Sequence, residues 1–198
     1  LDIVIVDEFH HAGALSYQRV LDYLRPKIML GLTATPERPD GIDVTQWFGG
    51  RIASELRLWD ALERNLLVPF HYFAVGSEDL DFSRARWNAG RYNADDLDEV
   101  LTGNDVIMNW VLREIAHVVT DPLTMKALVF AGGVRHARFV ALRLNQAGIH
   151  SVALDGETAK PVRAQAIRDL RAGVIQAIVS VDIFNEGVDI PEVDTVVM

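Results

Sequence analysis

Two adjacent carboxylates, Asp7 and Glu8, stand directly after the apolar run Ile3–Val6. A short β-branched run predicts a buried strand of a parallel sheet, and such sheets bind ligands beyond the carboxyl ends of their strands. Because side chains alternate along a strand, the two carboxylates can take different tasks. One could hold a hydrated Mg²⁺ while the other orients or deprotonates a water, which is the chemistry of nucleotide hydrolysis. The alternative is an acidic strand end that only faces solvent.

Strand and helix signals alternate along the chain, which predicts a doubly wound α/β fold with parallel sheets flanked by helices. Strands are predicted at 3–6, 27–32, 69–75, 125–130, 150–154, 175–180 and 195–198. Helices are predicted at 16–24, 43–48 and 58–65. One later helix has an apolar face at helical spacing, formed by Ala137, Val140, Ala141 and Leu144. Another is expected to be capped by Thr158 and to end at Gly173.

Composition sets limits on the class of protein. The chain has 198 residues, 49% of them hydrophobic, which is enough for a substantial core. It has no cysteine, so a disulfide framework and a cysteine metal site are excluded. No apolar run is long enough to cross a membrane, and we expect a soluble, cytoplasmic protein. The net charge of −9 argues against a broad basic face but leaves room for a local nucleic-acid groove.

Three motifs occur in a characteristic order. Asp7-Glu8-Phe9-His10 resembles the Walker B or DExH box of superfamily two helicases, and the segment Leu32–Arg38 resembles their third motif. The segment Val179–Pro191 resembles the fifth motif, in the branch related to type III restriction subunits and DNA-repair helicases. The resemblance covers essentially the whole chain. It implies two RecA-like lobes of P-loop NTPase architecture, with ATP and Mg²⁺ between them.

The resemblance also implies roles for individual residues. Asp7 would hold Mg²⁺ and Glu8 would activate the attacking water. His10 would couple the nucleotide site to the other lobe, although a structural histidine is the alternative. Thr33 and Thr35 would relay the state of the γ-phosphate. Gly187 and Asp189 would contact the nucleotide.

A nucleic-acid contact is expected in the second lobe. Phe130-Ala131-Gly132-Gly133 resembles the fourth motif, and Gly132 would expose a backbone N–H at a helix N-terminus, with Arg135 one turn away. A plain strand-to-helix turn explains the glycines equally well. Ser180 could donate to a phosphate without reading sequence. DNA is the expected partner, RNA is less favoured, and no membrane partner is expected.

The predicted division assigns 1–67 to an incomplete first lobe and 68–198 to a nearly complete second lobe, with a partly helical insertion at about 76–122. Ile107, Trp110, Val111, Ile115 and Val118 predict a helix in that insertion. The sequence contains no glycine-rich loop ending in Gly-Lys-Ser/Thr and no arginine-finger segment. We therefore expect a core fragment of a longer motor, whose other N- and C-terminal parts are needed and which alone hydrolyses ATP negligibly.

Two other functions remain open from sequence. One is a non-catalytic docking module that retains RecA-like lobes. The other is a metal-dependent hydrolase that uses Asp7, His10 and His11 directly, which would leave the motifs around Thr35 and Asp189 unexplained.

In the insertion, Arg84, Arg86, Trp87, Arg91 and Tyr92 mix cations with aromatic rings, as single-strand binding surfaces do. An exposed loop with two anchoring rings is the favoured interpretation of that segment.

Overall fold

The computed structural model describes residues 1–13, 15–37, 43–74, 83, 85–88, 91–184 and 189–198. The chain divides into two compact units, Leu1–Phe73 and Ala74–Met198. The predicted lobe boundary, between residues 67 and 68, lies shortly before this division. No helix among the described residues is long and apolar enough to cross a membrane.

The first unit contains a two-stranded parallel sheet, in which β1 (Ile3–Val6) pairs with β2 (Ile28–Gly31). Its helices are a 3₁₀ helix (Phe9–Gly13), which was not predicted, α1 (Leu15–Leu24), a second 3₁₀ helix (Val44–Phe48) and α2 (Leu58–Glu63). The second 3₁₀ helix starts where the Asp43 carboxylate accepts from the Thr45 N–H and stops at Gly49, whose φ is +64°. The other elements match the predicted ones to within a few residues.

Two expectations for this unit are wrong. The strand β1 is not buried, since Ile3 and Ile5 are 58% and 62% exposed. Within the described residues β1 pairs only with β2. The partner residues Ile28 and Leu30 are exposed too, so one face of this small sheet is uncovered. The strand predicted at 69–75 does not form over residues 69–74, where Phe70 and Tyr72 are exposed and no partner strand is described. Val75 lies outside the described residues.

The second unit is built on a four-stranded parallel sheet of order β6-β7-β5-β8. Its strands are β5 (Ala127–Phe130), β6 (Ser151–Leu154), β7 (Ala177–Ser180) and β8 (Thr195–Val197). Helix α5 (Val134–Gln146) follows β5, and helix α6 (Lys160–Ala172) follows β6. The predicted apolar face of α5 is confirmed, because Ala137, Val140, Ala141 and Leu144 are all buried. Helix α6 begins beside Pro161 and ends at Gly173 as predicted.

Thr158 does not cap α6. The N-cap residue is Ala159, and no side chain caps this helix. The Thr158 hydroxyl instead lies 3.0 Å from Asp155 Oδ1 and accepts from the Asp155 N–H at 3.0 Å. The cap prediction failed because the Thr158 hydroxyl oxygen accepts from a donor in the preceding turn, the Asp155 N–H, and not from an N–H of α6.

The insertion contributes a hairpin and two helices. The hairpin pairs β3 (Trp87–Asn88) with β4 (Arg91–Tyr92), and the Trp87 and Tyr92 rings meet edge to face at 4.7 Å. Helix α3 (Ala94–Leu101) is capped by Asn93, and α4 (Asp105–Val118) confirms the helix predicted around Ile115. Arg84 lies outside the described residues.

A bidentate ion pair connects the start of the hairpin to α3. Arg86 Nε and Nη2 donate to the Asp96 carboxylate at 2.8 and 3.0 Å, and the Arg86 backbone N–H donates at 2.9 Å. These bonds lower the pKa of Asp96 to about 2. Because this pKa is depressed in the folded chain, the pair stabilises above about pH 4. That contribution is lost as pH falls through about 2.

We expect the Arg86→Gln variant to raise the pKa of Asp96 from about 2 towards the ordinary aspartate value of about 3.9, without reaching it, because the backbone bond from residue 86 remains. NMR titration of the Asp96 carboxyl carbon checks this result. Arg113→Gln is the control, since the partner of Arg113 is Glu114. An unchanged midpoint near 2 in Arg86→Gln would assign the shift to another group.

Candidate functional site

The predicted nucleotide-site residues of the first unit lie together where β1 and β2 end. The two strands run in register, with Val6 beside Gly31. Two backbone bonds extend the pairing beyond the strands, from the Leu32 N–H to the Val6 carbonyl at 2.9 Å and from the Phe9 N–H to the Leu32 carbonyl at 2.8 Å. The structure thus places the Asp7–His10 segment against the start of the third motif.

The chain turns sharply at Glu8. Its φ is +49°, in the left-handed region that residues other than glycine seldom adopt, and its N–H donates to Asp7 Oδ1 at 2.9 Å. A 3₁₀ helix, Phe9–Gly13, follows at once. Backbone strain of this kind persists only where the surroundings hold it, and it concentrates at functional sites.

A polar network connects the two motifs through His10. Its Nδ1 lies 3.3 Å from Glu8 Oε2 and 3.0 Å from Thr33 Oγ1. Thr33 Oγ1 also accepts from the Thr35 N–H at 3.1 Å. The His10 side chain is 18% exposed and that of Glu8 is 42% exposed, so solvent reaches the carboxylate more freely than the imidazole. Three consecutive polar contacts thus connect Glu8 to Thr35.

The Asp7 side chain fits the needs of a magnesium ion. Asp7 is exposed at the strand end, and its Oδ1 takes part in one described hydrogen bond. Mg²⁺ keeps several waters and is usually bound by one or two carboxylates together with substrate phosphates. Among the described residues, no group of three His, Asp or Glu side chains is placed to hold a metal. The exposed His11 ring lies against the His10 ring, with centroids 4.0 Å apart.

An ion pair at the end of the third motif was missed from sequence. Arg57 Nη2 donates to Glu37 Oε1 at 2.7 Å, and Arg57 also pairs with Glu55. The bond to Arg57 lowers the pKa of Glu37. Twenty residues separate the partners, and both are exposed, so neither spacing nor hydropathy indicated the contact.

In the second unit, the expected phosphate seat lies at the N-terminus of α5, directly after β5. The Gly132 N–H donates to His136 Nδ1 at 3.2 Å, and the His136 N–H donates to Asp98 Oδ1 at 2.7 Å. Burial lowers the pKa of His136, and the nearby Asp98 carboxylate opposes that shift. Arg135 is exposed. Asp98 belongs to an acidic cluster visible in the sequence, but nothing there indicated its contact with α5.

Ser180 is placed inside the sheet. It is fully buried at the end of the central strand β7, and its hydroxyl lies 3.5 Å from the Val129 carbonyl oxygen. All four residues of β7 are buried, so neither face of this strand reaches solvent. In this arrangement the hydroxyl does not face a nucleic acid, and we leave Ser180 out of the proposed contact surface.

The structure describes the parts of the fifth motif before and after residues 185–188. Gly187 therefore lies outside the described residues. Asp189 is exposed, and its carbonyl oxygen accepts from Arg171 Nη2 at 3.2 Å. Arg171 also pairs with Glu192 at 3.1 Å. The last turn of α6 thus fixes the backbone at Asp189, a role of Arg171 that the sequence did not indicate.

The turn before α6 is tightly bonded within itself. The Asp155 carboxylate accepts from the N–H groups of Glu157 and Thr158 at 3.0 Å each. The bond from the Thr158 hydroxyl, together with these, lowers the pKa of Asp155. Arg163 donates to the carbonyl oxygens of Gly156 and Thr158 at 2.6 and 2.7 Å. The turn is therefore a rigid surface feature of the second unit.

Two protein families match separate parts of the chain. The family described as type III restriction enzyme, res subunit, matches residues 1–38, and the helicase conserved C-terminal domain matches residues 110–198. Together the matches cover more than half of the chain and contain all three motifs. Their order along the chain agrees with a superfamily two, DExH-like helicase.

Known proteins are similar to most of this chain. A 51.5 kDa protein of a Lactococcus phage is 29% identical to this chain over 96% of its length, and the match covers 40% of the phage protein. The type I restriction enzyme EcoAI endonuclease subunit of Escherichia coli is 26% identical over 69% of the chain, which covers 18% of that protein. The chain thus spans less than half the length of these relatives.

A solved structure supports the fold. Saccharomyces cerevisiae Dbp5 bound to RNA and ADP BeF3 aligns with 99% of this chain at a TM-score of 0.50 and 17% identity. The alignment covers 44% of the Dbp5 chain. The RecA-like α/β architecture expected from the sequence is confirmed.

Proposed function

We propose that this chain forms the ATP-hydrolysing and DNA-gripping core of a helicase or translocase that moves on DNA. The observation that carries the proposal is the network from Glu8 through His10 to Thr33 and Thr35. It links a carboxylate that can activate water to the loop that follows the neighbouring strand. A path of this kind is what a motor needs to pass the state of its nucleotide to a mobile part.

In the proposed mechanism, Asp7 holds Mg²⁺ and Glu8 accepts a proton from the attacking water. The metal ion, when bound with nucleotide, neutralises charge on the phosphate oxygens. His10 keeps the Glu8 carboxylate oriented, and Thr33 senses that orientation through its hydroxyl. Asp189 would contact the nucleotide, and Gly187, outside the described residues, would do the same.

DNA is the proposed nucleic acid because one matching family and one relative are restriction enzymes. Arg135 and the Gly132 backbone would contact the phosphodiester backbone. We propose that the 198 residues alone hydrolyse ATP negligibly, since they contain no Gly-Lys-Ser/Thr loop. We also propose a cytoplasmic location.

The test is DNA-stimulated ATP hydrolysis and streptavidin displacement from biotinylated DNA, measured on the protein extended by flanking sequence that includes a phosphate-binding loop. ATP hydrolysis that DNA accelerates, together with ATP-dependent displacement, is the expected result. If DNA binds without any nucleotide turnover, the non-catalytic docking function takes its place.

Thr33→Val should separate hydrolysis from movement. Valine keeps the shape of threonine but removes the hydroxyl that contacts His10 Nδ1 and the Thr35 N–H. We expect streptavidin displacement to fall by about tenfold, the cost of a broken polar contact of roughly 1.4 kcal/mol. ATP hydrolysis should change far less. Thr33→Ser, which keeps the hydroxyl, is the matched control, and an equal loss in both variants would remove Thr33 from coupling.

A further inference from the structure

An acidic side chain from the insertion occupies the N-terminus of α5. Asp98 belongs to α3, and its Oδ1 accepts from the His136 N–H at 2.7 Å. The Thr102 hydroxyl reaches the same oxygen at 3.4 Å. A helix N-terminus has unpaired N–H groups and a positive dipole end, so it attracts an anion. Here the chain provides that anion from a distant segment.

Gly133 makes this close approach possible. A Cβ atom at position 133 would lie 2.5 Å from Asp98 Cγ and 2.6 Å from Asp98 Oδ1. The Gly133 backbone is extended, with φ −179°, so its conformation does not itself require glycine. The absence of a side chain therefore serves the approach of a charged group. A nucleic-acid phosphate would use the same opening.

Apolar contacts hold α3 over this position. A Cβ on Gly132 would lie 3.1 Å from Leu101 Cδ1 and 3.8 Å from Leu97 Cβ, so both leucines cover Gly132. The backbone N–H of Gly132 is bonded to His136 Nδ1. In this arrangement the N–H groups of Gly132 and His136 are both bonded within the protein. Asp98 and the two leucines thus occupy part of the proposed phosphate seat.

We propose that Asp98 is an internal substitute for a nucleic-acid phosphate, and that α3 must leave the end of α5 before a DNA backbone binds there. The inference rests on the proposed function, because it assumes that DNA contacts the second unit at α5. Helix α3 also carries Asp95 and Glu99, which repel a phosphodiester backbone while α3 stays in place. DNA affinity is then reduced by the fraction of molecules in which α3 has moved away.

The test compares binding of fluorescein-labelled single-stranded oligothymidylate to the 198-residue chain by fluorescence anisotropy. Asp98→Ala should bind about tenfold more tightly than the unaltered chain, because one charge–dipole contact no longer holds α3. Glu99→Ala is the matched control, since it removes the same charge from an exposed position of the same helix. We expect a change of less than about threefold for it, from screened charge alone.

Asp98→Asn separates charge from geometry, since its side-chain oxygen can still accept from the His136 N–H. Its affinity should lie between those of the unaltered chain and Asp98→Ala. Equal affinities for Asp98→Ala and Glu99→Ala would overturn the inference and leave the proposed function standing. If neither the unaltered chain nor any variant binds DNA, the proposed function fails together with the inference.

A disulfide that holds α3 against the segment before α5 tests the same inference without replacing Asp98. The distance of 3.8 Å from Leu97 Cβ to a Cβ on Gly132 is that of a typical disulfide, and the chain has no other cysteine to interfere. In the double variant Leu97→Cys with Gly132→Cys, oxidation should weaken oligothymidylate binding by about tenfold or more and reduction should restore it. Equal binding by the oxidised and reduced forms would contradict the inference, even if Asp98→Ala proved poorly folded.

Discussion

Replacing Glu8 by glutamine is expected to lower the kcat of ATP hydrolysis by about 10² to 10⁴-fold, the usual contribution of a general base. Glutamine keeps the size of the side chain and the ability to accept from His10, but it cannot take a proton from water. Nucleotide binding depends on phosphate and metal contacts, so the KM for ATP should change little. The measurement is steady-state turnover with saturating DNA, in the protein extended by its phosphate-binding loop.

The control for this variant is Glu63→Gln. Glu63 is an exposed residue at the end of α2, and the same charge is removed there without touching the network. Its turnover should equal that of the unaltered protein. Undiminished hydrolysis by Glu8→Gln would remove Glu8 from catalysis. A large rise in KM with unchanged kcat would instead assign Glu8 to nucleotide binding.

The position of Glu8 could be predicted because strand ends are readable in sequence. An apolar run ends at Val6, a second ends near Leu32, and parallel pairing of the two runs brings Asp7, Glu8 and Thr33 to one edge. The left-handed backbone of Glu8 could not be predicted, since a glutamate gives no local signal for a positive φ. That turn depends on the whole surrounding structure.

Burial was harder to predict than secondary structure. The α5 face of Ala137, Val140, Ala141 and Leu144 followed from helical spacing, which fixes which side chains share a side. The spacing of apolar residues does not predict whether another element packs against a strand. Ile5 and Phe70 are apolar and largely exposed, whereas Ser180 is polar and buried because β7 lies inside its sheet.

Contacts between distant segments were the part of the site that sequence did not reveal. The Asp98 bond to His136 joins residues 38 positions apart, and the Arg171 bond joins α6 to Asp189. Asp98 and Arg171 are common charged types on a helix, for which a solvent-facing role is the usual one. Only the fold brings them to the motif segments.

Phe9 gives the second large effect, because it fixes the segment that carries Glu8 and His10. Its ring is 1% exposed and meets the rings of Phe48 and Trp47 edge to face, at centroid distances of 4.8 and 6.0 Å. We expect Phe9→Ala to destabilise the first unit by about 3–5 kcal/mol, through lost burial and the cavity left behind. Native-state hydrogen exchange of peptides covering residues 1–31 measures this unit separately from the second.

Gly31 lies against the same aromatic cluster and leaves no room there for a side chain. A Cβ there would lie 2.7 Å from Phe48 Cζ and 2.8 Å from Phe9 Cγ, so Gly31→Ala should cost about 1–3 kcal/mol by overpacking. Gly156→Ala is the control, since a Cβ at position 156 meets no atom within 4 Å.

In the double variant of Gly31→Ala with Phe9→Ala, the new methyl group enters the space that the Phe9 ring leaves. The combined loss should therefore be smaller than the sum of the two single losses. Strictly additive losses would mean that the Phe9 ring does not restrict position 31, and the packing that holds Glu8 beside Thr33 would need another explanation.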